Sequence, residues 1–473
     1  MGTISSAFSL MSQALDADQA ALNIVANNVA NANTTGYTEE RPNWRENQPN
    51  EVNGVSYGAG VTETGPTSVR DRVLLERLDQ QQQLASASGS RLTALNSIQA
   101  LFTPDSGSTS SAAGDIGSDI TSFFDTFSSL EANPSDNALR QSVLSKASTL
   151  AGDVSNAAAS LNSQRSALDQ EAAGVTSQVN SLPSAIAQLN QQIQSTSPDA
   201  DAGTLEDQRK QDLSQLSKLV GINQVTTENG GLSVTTTSGQ LLVSEGASYQ
   251  LTTGTVGGVT DFFVGGKDIT SQLASGGGEL GGYLTARDQD IPSVLGSLDQ
   301  LAYSVSTEVN TQNSAGTDLD GVTGTAAAPL NIFSQPTEVA GSAASMSVVM
   351  TDPDQIAAAG AGDGTGDSSN ATAMYNLSKQ PIVSGQTATD FYSNFVSTLG
   401  STVSEVETEN TAQTASVTQL QTQNNTLSGV NLNDEASSMT TLERSYQAAS
   451  QVFTMLNTIM ASALNLGDQT TVS

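Results

Sequence analysis

The sequence predicts an α+β fold in which long coiled-coil-like helices from both chain termini form an axial core, with small antiparallel β domains inserted between them. Three features predict it: a heptad seam at each end, long helical stretches inside them, and a glycine-punctuated middle with turn pairs about every ten residues. With 473 residues, the chain has room for several domains, because single cores stop growing near roughly 250–300 residues.

At the N-terminus Ile4, Phe8, Met11, Leu15, Leu22, Val25, Val29 and Ala32 fall on alternating steps of four and three, broken only by Asp18. A helix of about 43 Å carries that seam at about 1.5 Å per residue. Asn27, Asn28, Asn31 and Asn33 crowd its last turns, and Gly36, before Tyr37, stands where a left-handed cap would end it. Residues 70–102, 116–130 and 135–195 also read as helices, with Asn133–Pro134–Ser135 as a starting turn and Pro183 as a kink or break. From 221 the grammar changes. Asn229–Gly230–Gly231, Ser238–Gly239, Gly257–Gly258 and Gly265–Gly266 separate short alternating runs, which predicts small strands over 221–282. Helix resumes at 283–312, a β-like or irregular insert follows at 325–372, and a long helix spans 390–428 up to Gly429. That helix carries polar layers at Asn410, Gln413 and Asn424. Leu432, Met439, Leu442, Tyr446, Ala449, Phe453, Leu456, Met460 and Ala463 then form the closing seam, interrupted once by Glu435. The expected division is therefore a terminal helical core (1–35 with 430–473), a mainly α domain (36–220, 283–324 and 373–429), a small β domain (221–282) and the insert (325–372).

Composition removes most chemistry. There are 16 basic and 48 acidic residues, a net charge of −32, and neither Cys nor His. Nucleic acid and anionic membranes need a basic face, so neither is an expected partner. Thiol nucleophiles, imidazole bases, disulfides and Cys/His metal sites are excluded outright. Gly265–Gly266–Lys267–Asp268 has an acid where a phosphate loop has Ser or Thr. Asp318–Leu319–Asp320–Gly321 and Asp363–Gly364–Thr365–Gly366–Asp367 lack the spacing of a calcium loop and read as solvated acidic turns. Glu405, Glu407 and Glu409 read as a solvated helix flank. No catalytic residue, cofactor site or metal site is expected, and the chain reads as a structural protein rather than an enzyme. The terminal seams are the sharper signal. They are built of small and medium side chains, so a lone pair of such helices buries too little to offset its ordering entropy, which points to packing between molecules rather than a self-contained hairpin.

The run from Ala14–Leu15–Asp16 through Asn27–Asn28–Val29–Ala30–Asn31 to Thr34–Thr35–Gly36–Tyr37 resembles the N-terminal signature of the axial proteins of the bacterial flagellum: rod, hook and hook-associated proteins. Leu432–Asn433–Asp434–Glu435–Ala436 through Tyr446–Gln447–Ala448 is similar to the family's closing helix. Within the family, Gly278–Glu279–Leu280–Gly281–Gly282–Tyr283–Leu284–Thr285–Ala286–Arg287–Asp288 resembles the mid-chain motif of the hook-associated members. Leu298–Asp299–Gln300, Gly316–Thr317–Asp318, Asn133–Pro134–Ser135 to Arg140–Gln141 and Asp352–Pro353 with Ile356–Ala357–Ala358 extend the likeness. Asn313 stands where such proteins often have His, and Glu39–Glu40–Arg41 replaces a more basic stretch.

The resemblance implies a non-catalytic ring of copies between hook and filament. Terminal helices would pack around a central channel, helices such as 390–428 would form the tube wall, and the β region would face outward. Its implied partners are other copies, hook protein, a second hook–filament junction protein, and a cytoplasmic export chaperone holding the C-terminal segment around 439–463. Export through the flagellum's own type III channel, without a cleaved signal peptide, agrees with residues 1–40 lacking Lys and Arg. The assembly residues expected are Ile4, Phe8, Met11, Leu15, Leu22, Val25, Asn28, Val29, Asn31, Gly36 and Tyr37 at one end and Leu432, Met439, Leu442, Tyr446, Phe453, Leu456 and Met460 at the other. Alternatives are a hook or distal-rod protein, disfavoured by the mid-chain motif, and a secreted coiled-stalk adhesin, disfavoured by the absence of tandem repeats.

Overall fold

The computed structural model describes residues 2–52, 55–103, 116–196, 202–227 and 231–468. Helix α1 (Gly2–Asn31) opens the chain, as its heptad requires. Strand β1 (Glu40–Glu46), a hairpin of β2 (Asn50–Val52) and β3 (Val55–Tyr57), and β4 (Val61–Ser68) follow. β1 and β4 pair antiparallel, with the register shifting between Pro42 and Trp44. Pro42 lies opposite Pro66, which a two-stranded ribbon tolerates because each strand has a free edge. This ribbon lies where the sequence reads as mainly helical; its strands are polar and partly exposed, so the period-2 signal is faint.

Helices α2 (Arg72–Ala100), α3 (Ile116–Ala132), α4 (Asn137–Ser195) and α5 (Gly203–Leu219) come next. The Asp71 carboxylate caps α2 by accepting from the Val73 and Leu74 N–H groups, and Asp136 caps α4 in the same way. Of the expected kink or break at Pro183, the break does not occur: α4 runs helical through it. Val179, Pro183, Ile186 and Ala187 are all buried there, and that packing offsets the hydrogen bond the proline cannot make.

The β region is two small sheets. β5 (Ile222–Thr226), β6 (Leu232–Thr236), β7 (Leu241–Ser244) and β8 (Ala247–Ser248) pair in sequence order, and β9 (Leu251–Val256), β10 (Val259–Val264) and β11 (Lys267–Asp268) form the second. The expected Asn229–Gly230 turn lies outside the described residues. Gly265 and Gly266 take φ of +59° and +80° and make the two-residue turn of the β10–β11 hairpin, so Lys267 belongs to a hairpin strand. Strand structure ends at Asp268, and α6 (Thr270–Ala274) and α7 (Gly278–Thr285) occupy the rest of the expected β segment.

One turn of π-helix (Ala286–Asp290) leads into α8 (Ile291–Ala315). The 325–372 insert is mostly irregular, with α9 (Ser342–Ser345), a 3₁₀ turn at Pro353–Gln355 and the start of α10 (Ser369–Leu377). α11 (Ala388–Ser428) and α12 (Leu432–Asp468) close the chain. Two cores result. One joins α3, α8, α10 and α11 to the first half of α4; the other packs both sheets, α5 and α7 on its second half. Buried polar groups hold the irregular backbone. Asn310 accepts from the Ile332 and Phe333 N–H groups and donates to the Phe333 carbonyl, and Asn313 clamps Leu330 and Ala357 similarly. Arg140, 1% exposed, donates to the Pro134 and Ile356 carbonyls, which joins two motifs over two hundred residues apart.

Candidate assembly site at the root of the terminal helices

The two terminal seams meet one another within the chain. α1 and α12 pack along their lengths, and the Phe8 and Phe453 rings lie 4.2 Å apart near the distal end. The side of α1 toward the body rests on the β1–β4 ribbon, where Asn47 Nδ2 donates to Gln13 Oε1 at 3.1 Å.

The seam is only partly closed. On α1 the buried residues are Ala17, Ala21, Ile24, Val25 and Asn28. Of the expected seam, Val25 and Asn28 are buried, Ile4, Phe8, Met11, Leu15 and Leu22 are half-buried, and Val29 is exposed. The buried line thus runs about one residue before the expected heptad, because small Ala17 and Ala21 let neighbouring backbone approach. On α12 Met439, Leu442, Phe453, Leu456 and Met460 are half-buried, and Leu432 and Tyr446 are exposed. A second apolar line, Val452, Met455 and Ile459, has no cover, and Met455 is 57% exposed. Among the described residues, Glu435 is the one buried residue of α12. The acid that breaks the heptad is therefore its best-packed position.

Asn28 explains why. Its amide nitrogen donates to Glu435 Oε1 at 3.0 Å and to the Glu40 carbonyl at 2.8 Å. Its amide oxygen accepts from the Glu40 N–H at 3.0 Å and from the Tyr37 hydroxyl at 2.8 Å. Two donor hydrogens and two lone pairs are all used, which is full satisfaction for a buried amide. The side chain joins α1, the returning chain, β1 and α12 at one point. Asn31 works locally, donating to the Asn27 carbonyl at 3.0 Å and accepting from the Thr34 hydroxyl at 3.1 Å. Gly36 does not cap α1 directly. It sits five residues past Asn31 at φ +83°, in the turn that returns Tyr37 to the helix. Burial, with Asn28 pulling the other way and Glu39 adding repulsion, raises the Glu435 carboxyl above its usual range. Burial and the nearby Glu40 likewise raise the Tyr37 phenol, which stays a neutral donor.

The returning segment is tied to the body as well. Thr38 donates through both its N–H (2.9 Å) and its hydroxyl (2.7 Å) to the Asp207 carboxylate of α5. Arg70 holds that carboxylate at 2.6 Å and also pairs with Glu206. The Glu39 N–H donates to the Ser428 carbonyl, one of the orphan acceptors at the end of α11, at 2.8 Å. None of Thr38, Asp207 or Arg70 was marked by the sequence; single polar residues far apart in the chain carry no periodic signal. Among the described residues no group of three acids could hold a metal. The carboxylates of Asp318 and Asp367 are taken by backbone N–H groups of their own loops. No helix among the described residues is long and apolar enough to cross a membrane.

Three family profiles match in chain order. Residues 11–38 match the flagella basal body rod protein family, residues 106–327 the helical domain of flagellar hook-associated protein FlgK, and residues 421–466 the C-terminal region of flagellar basal body rod FlgEFG proteins. Flagellar hook-associated protein 1 of Salmonella typhimurium is 26% identical over 96% of this chain and 98% of its own length. That of Bacillus subtilis is 26% identical over 96% of each. Over nearly its whole length the chain is similar to flagellar hook-associated protein 1, and its body matches the helical-domain profile of FlgK. The fold agrees. The flagellar hook junction protein FlgK of Burkholderia pseudomallei superposes with a TM-score of 0.64 at 19% identity, covering 74% of this chain and 99% of that one. The family is a structural one of the flagellum, so packing surfaces and not reacting groups are its working parts. The profiles from the rod proteins fall on both sides of the Asn28–Glu435 contact, and the hook-associated profile falls on the body.

Proposed function

We propose that the protein forms the junction between hook and filament, assembling as a ring of copies through intermolecular packing of α1 and α12. The observation that carries the reading is the unfinished terminal pair. Among the described residues α12 buries one against its own chain, yet it presents Val452, Met455 and Ile459 outward beside a half-buried seam. A helix apolar on two faces needs a second neighbour, and a copy of the same chain supplies the matching seam at once. In this reading the expected assembly residues divide. Phe8, Val25, Asn28 and Tyr37, joined by the unexpected Glu435, build the pair within each copy, while Val29, Leu432 and Tyr446, joined by the second line of α12, face neighbouring copies.

The terminal core (1–35 with 430–473) is the inner layer, the helical body is the surrounding wall, and the sheets of 221–268 lie outermost. Hook protein would be met below, the second hook–filament junction protein above. Before export through the flagellar channel, a cytoplasmic chaperone would cover the apolar C-terminal segment. A hook or distal-rod role is the alternative, and position separates the two. Gold-labelled antibody against the β region is expected to mark the distal edge of isolated hooks. Label along the whole hook shaft, or on the rod, overturns the junction reading.

A further inference from the structure

The terminal pair meets the rest of the molecule through a narrow root. α12 packs chiefly on α1, and α1 chiefly on α12, β1 and β4. Little apolar surface is shared with the body there, since the two body cores contain no residue of either terminal helix or of the β1–β4 ribbon. What crosses the root is polar. Asn28 binds Glu435, the Tyr37 hydroxyl and both backbone groups of Glu40. Two residues before Glu40, Thr38 places its N–H and hydroxyl on the two oxygens of Asp207, at 2.9 and 2.7 Å. Between them the Glu39 N–H reaches the Ser428 carbonyl, and the Glu39 carbonyl receives the Val69 N–H. Asp207 is held in turn by Arg70, and Gln211, one turn further along α5, donates to the Thr35 carbonyl at 2.9 Å.

We propose that Asn28, Thr38, Asp207 and Glu435 form a polar lock that fixes the direction in which the terminal helix pair leaves the body. Asn28 and Glu435 make α1 and α12 one rigid unit with β1. Thr38 on Asp207 clamps that unit to α5. Bidentate geometry is the reason for assigning the clamp to Thr38 and Asp207. Two parallel hydrogen bonds on one carboxylate restrict rotation as well as separation, which a single bond or an apolar contact does not. Removing the Thr38 hydroxyl leaves a single bond to Asp207, so the clamp loses its hold on rotation and only the single bonds at Glu39 and Thr35 remain beside it. The inference concerns orientation within one molecule and does not depend on where in the flagellum the protein sits.

The chain has no cysteine, so two introduced at the exposed positions Gln215 on α5 and Ser445 on α12 can be spin-labelled without background. Pulsed dipolar spectroscopy on the full chain is expected to give one narrow distance distribution. Thr38→Val is expected to broaden it to at least about twice that width while the melting of the body stays unchanged, because Arg70 and Asp207 still pair. Thr38→Ser restores the hydroxyl and the narrow distribution, and Asp207→Ala broadens it as Thr38→Val does. A distribution already broad in the unaltered chain, one that stays narrow in Thr38→Val and Asp207→Ala, or one that Thr38→Ser fails to restore overturns the lock.

Discussion

A buried carboxylate facing a neutral amide has a defined pH signature, and Glu435 is such a group. Burial raises its carboxyl above the usual range, and the Asn28 hydrogen bond lowers it by less. The folded pair therefore holds a proton at pH values where the unfolded chain has lost it. By linkage, stability falls as pH rises through the window just above the ordinary carboxylate range, and the deficit persists at neutral pH. The residues that set the field around it are Glu39, Arg41 and Asp434. Glu435→Gln keeps an oxygen for Asn28 and removes the charge. The pair is expected to gain up to about 1 kcal/mol at pH 7 and to lose its pH dependence in that window, which amide exchange along α1 and α12 at pH 4.5 and pH 7 would measure. Equal protection in both proteins at both pH values would show that Glu435 is solvated. Arg140 and Arg287 show the opposite use of buried charge. Each is 1% exposed and spends its donors on fixed acceptors, Arg287 on Asp169 at 2.5 Å and the Thr260 carbonyl at 2.7 Å.

At the scale of elements, the crossing of α2 and α7 is a tight joint. A Cβ on Gly282 would lie 2.0 Å from Ser90 Oγ and 2.3 Å from the Ala87 carbonyl oxygen. The second atom is backbone and cannot swing away. Gly282→Ala is therefore expected to force the helices apart and destabilise the body by about 3 kcal/mol or more, seen as a lower denaturant midpoint. Gly152, on the open face of α4, has nothing near its Cβ position, and Gly152→Ala is the control that should stabilise. The same contrast explains what the sequence made legible. The long helices α1, α2, α3, α4, α11 and α12 were readable to within a few residues from their aliphatic periodicity, and so were the glycine turns at 238–239, 257–258 and 265–266. The β1–β4 ribbon was not, because one polar face and two prolines erase alternation. The insert was not, because its order comes from Asn310, Asn313 and Arg140, donors on other elements that no local window contains. Half the site was readable: the seams and Asn28, but not Thr38, Asp207 or the burial of Glu435. An acid in a heptad reads as an interruption until its partner, 407 residues away, is in view.

As a whole, the molecule combines a finished body and an unfinished stem. The body buries Phe123, Phe124, Phe127 and Phe333 completely, together with two aliphatic cores. The stem has half-buried seams, and the whole chain's net charge of −32 works against close approach of free copies. If the stem is the assembly surface of the proposed junction, folding stability and assembly are separable, and Leu456, half-buried in the α12 seam, is a position where a substitution divides them. Leu456→Asp places a charge where the two helices approach and adds repulsion between copies, yet touches neither body core. The melting midpoint of the body is expected to move by less than about 2 °C, while protection along α1 and α12 disappears and motility is not restored in a strain lacking the protein. If the body lost stability in step with the stem, the two would form one cooperative unit. If the altered chain still supported motility, the seam around Leu456 would not be an assembly surface, and the exposed line of Val452, Met455 and Ile459 would have to act without it.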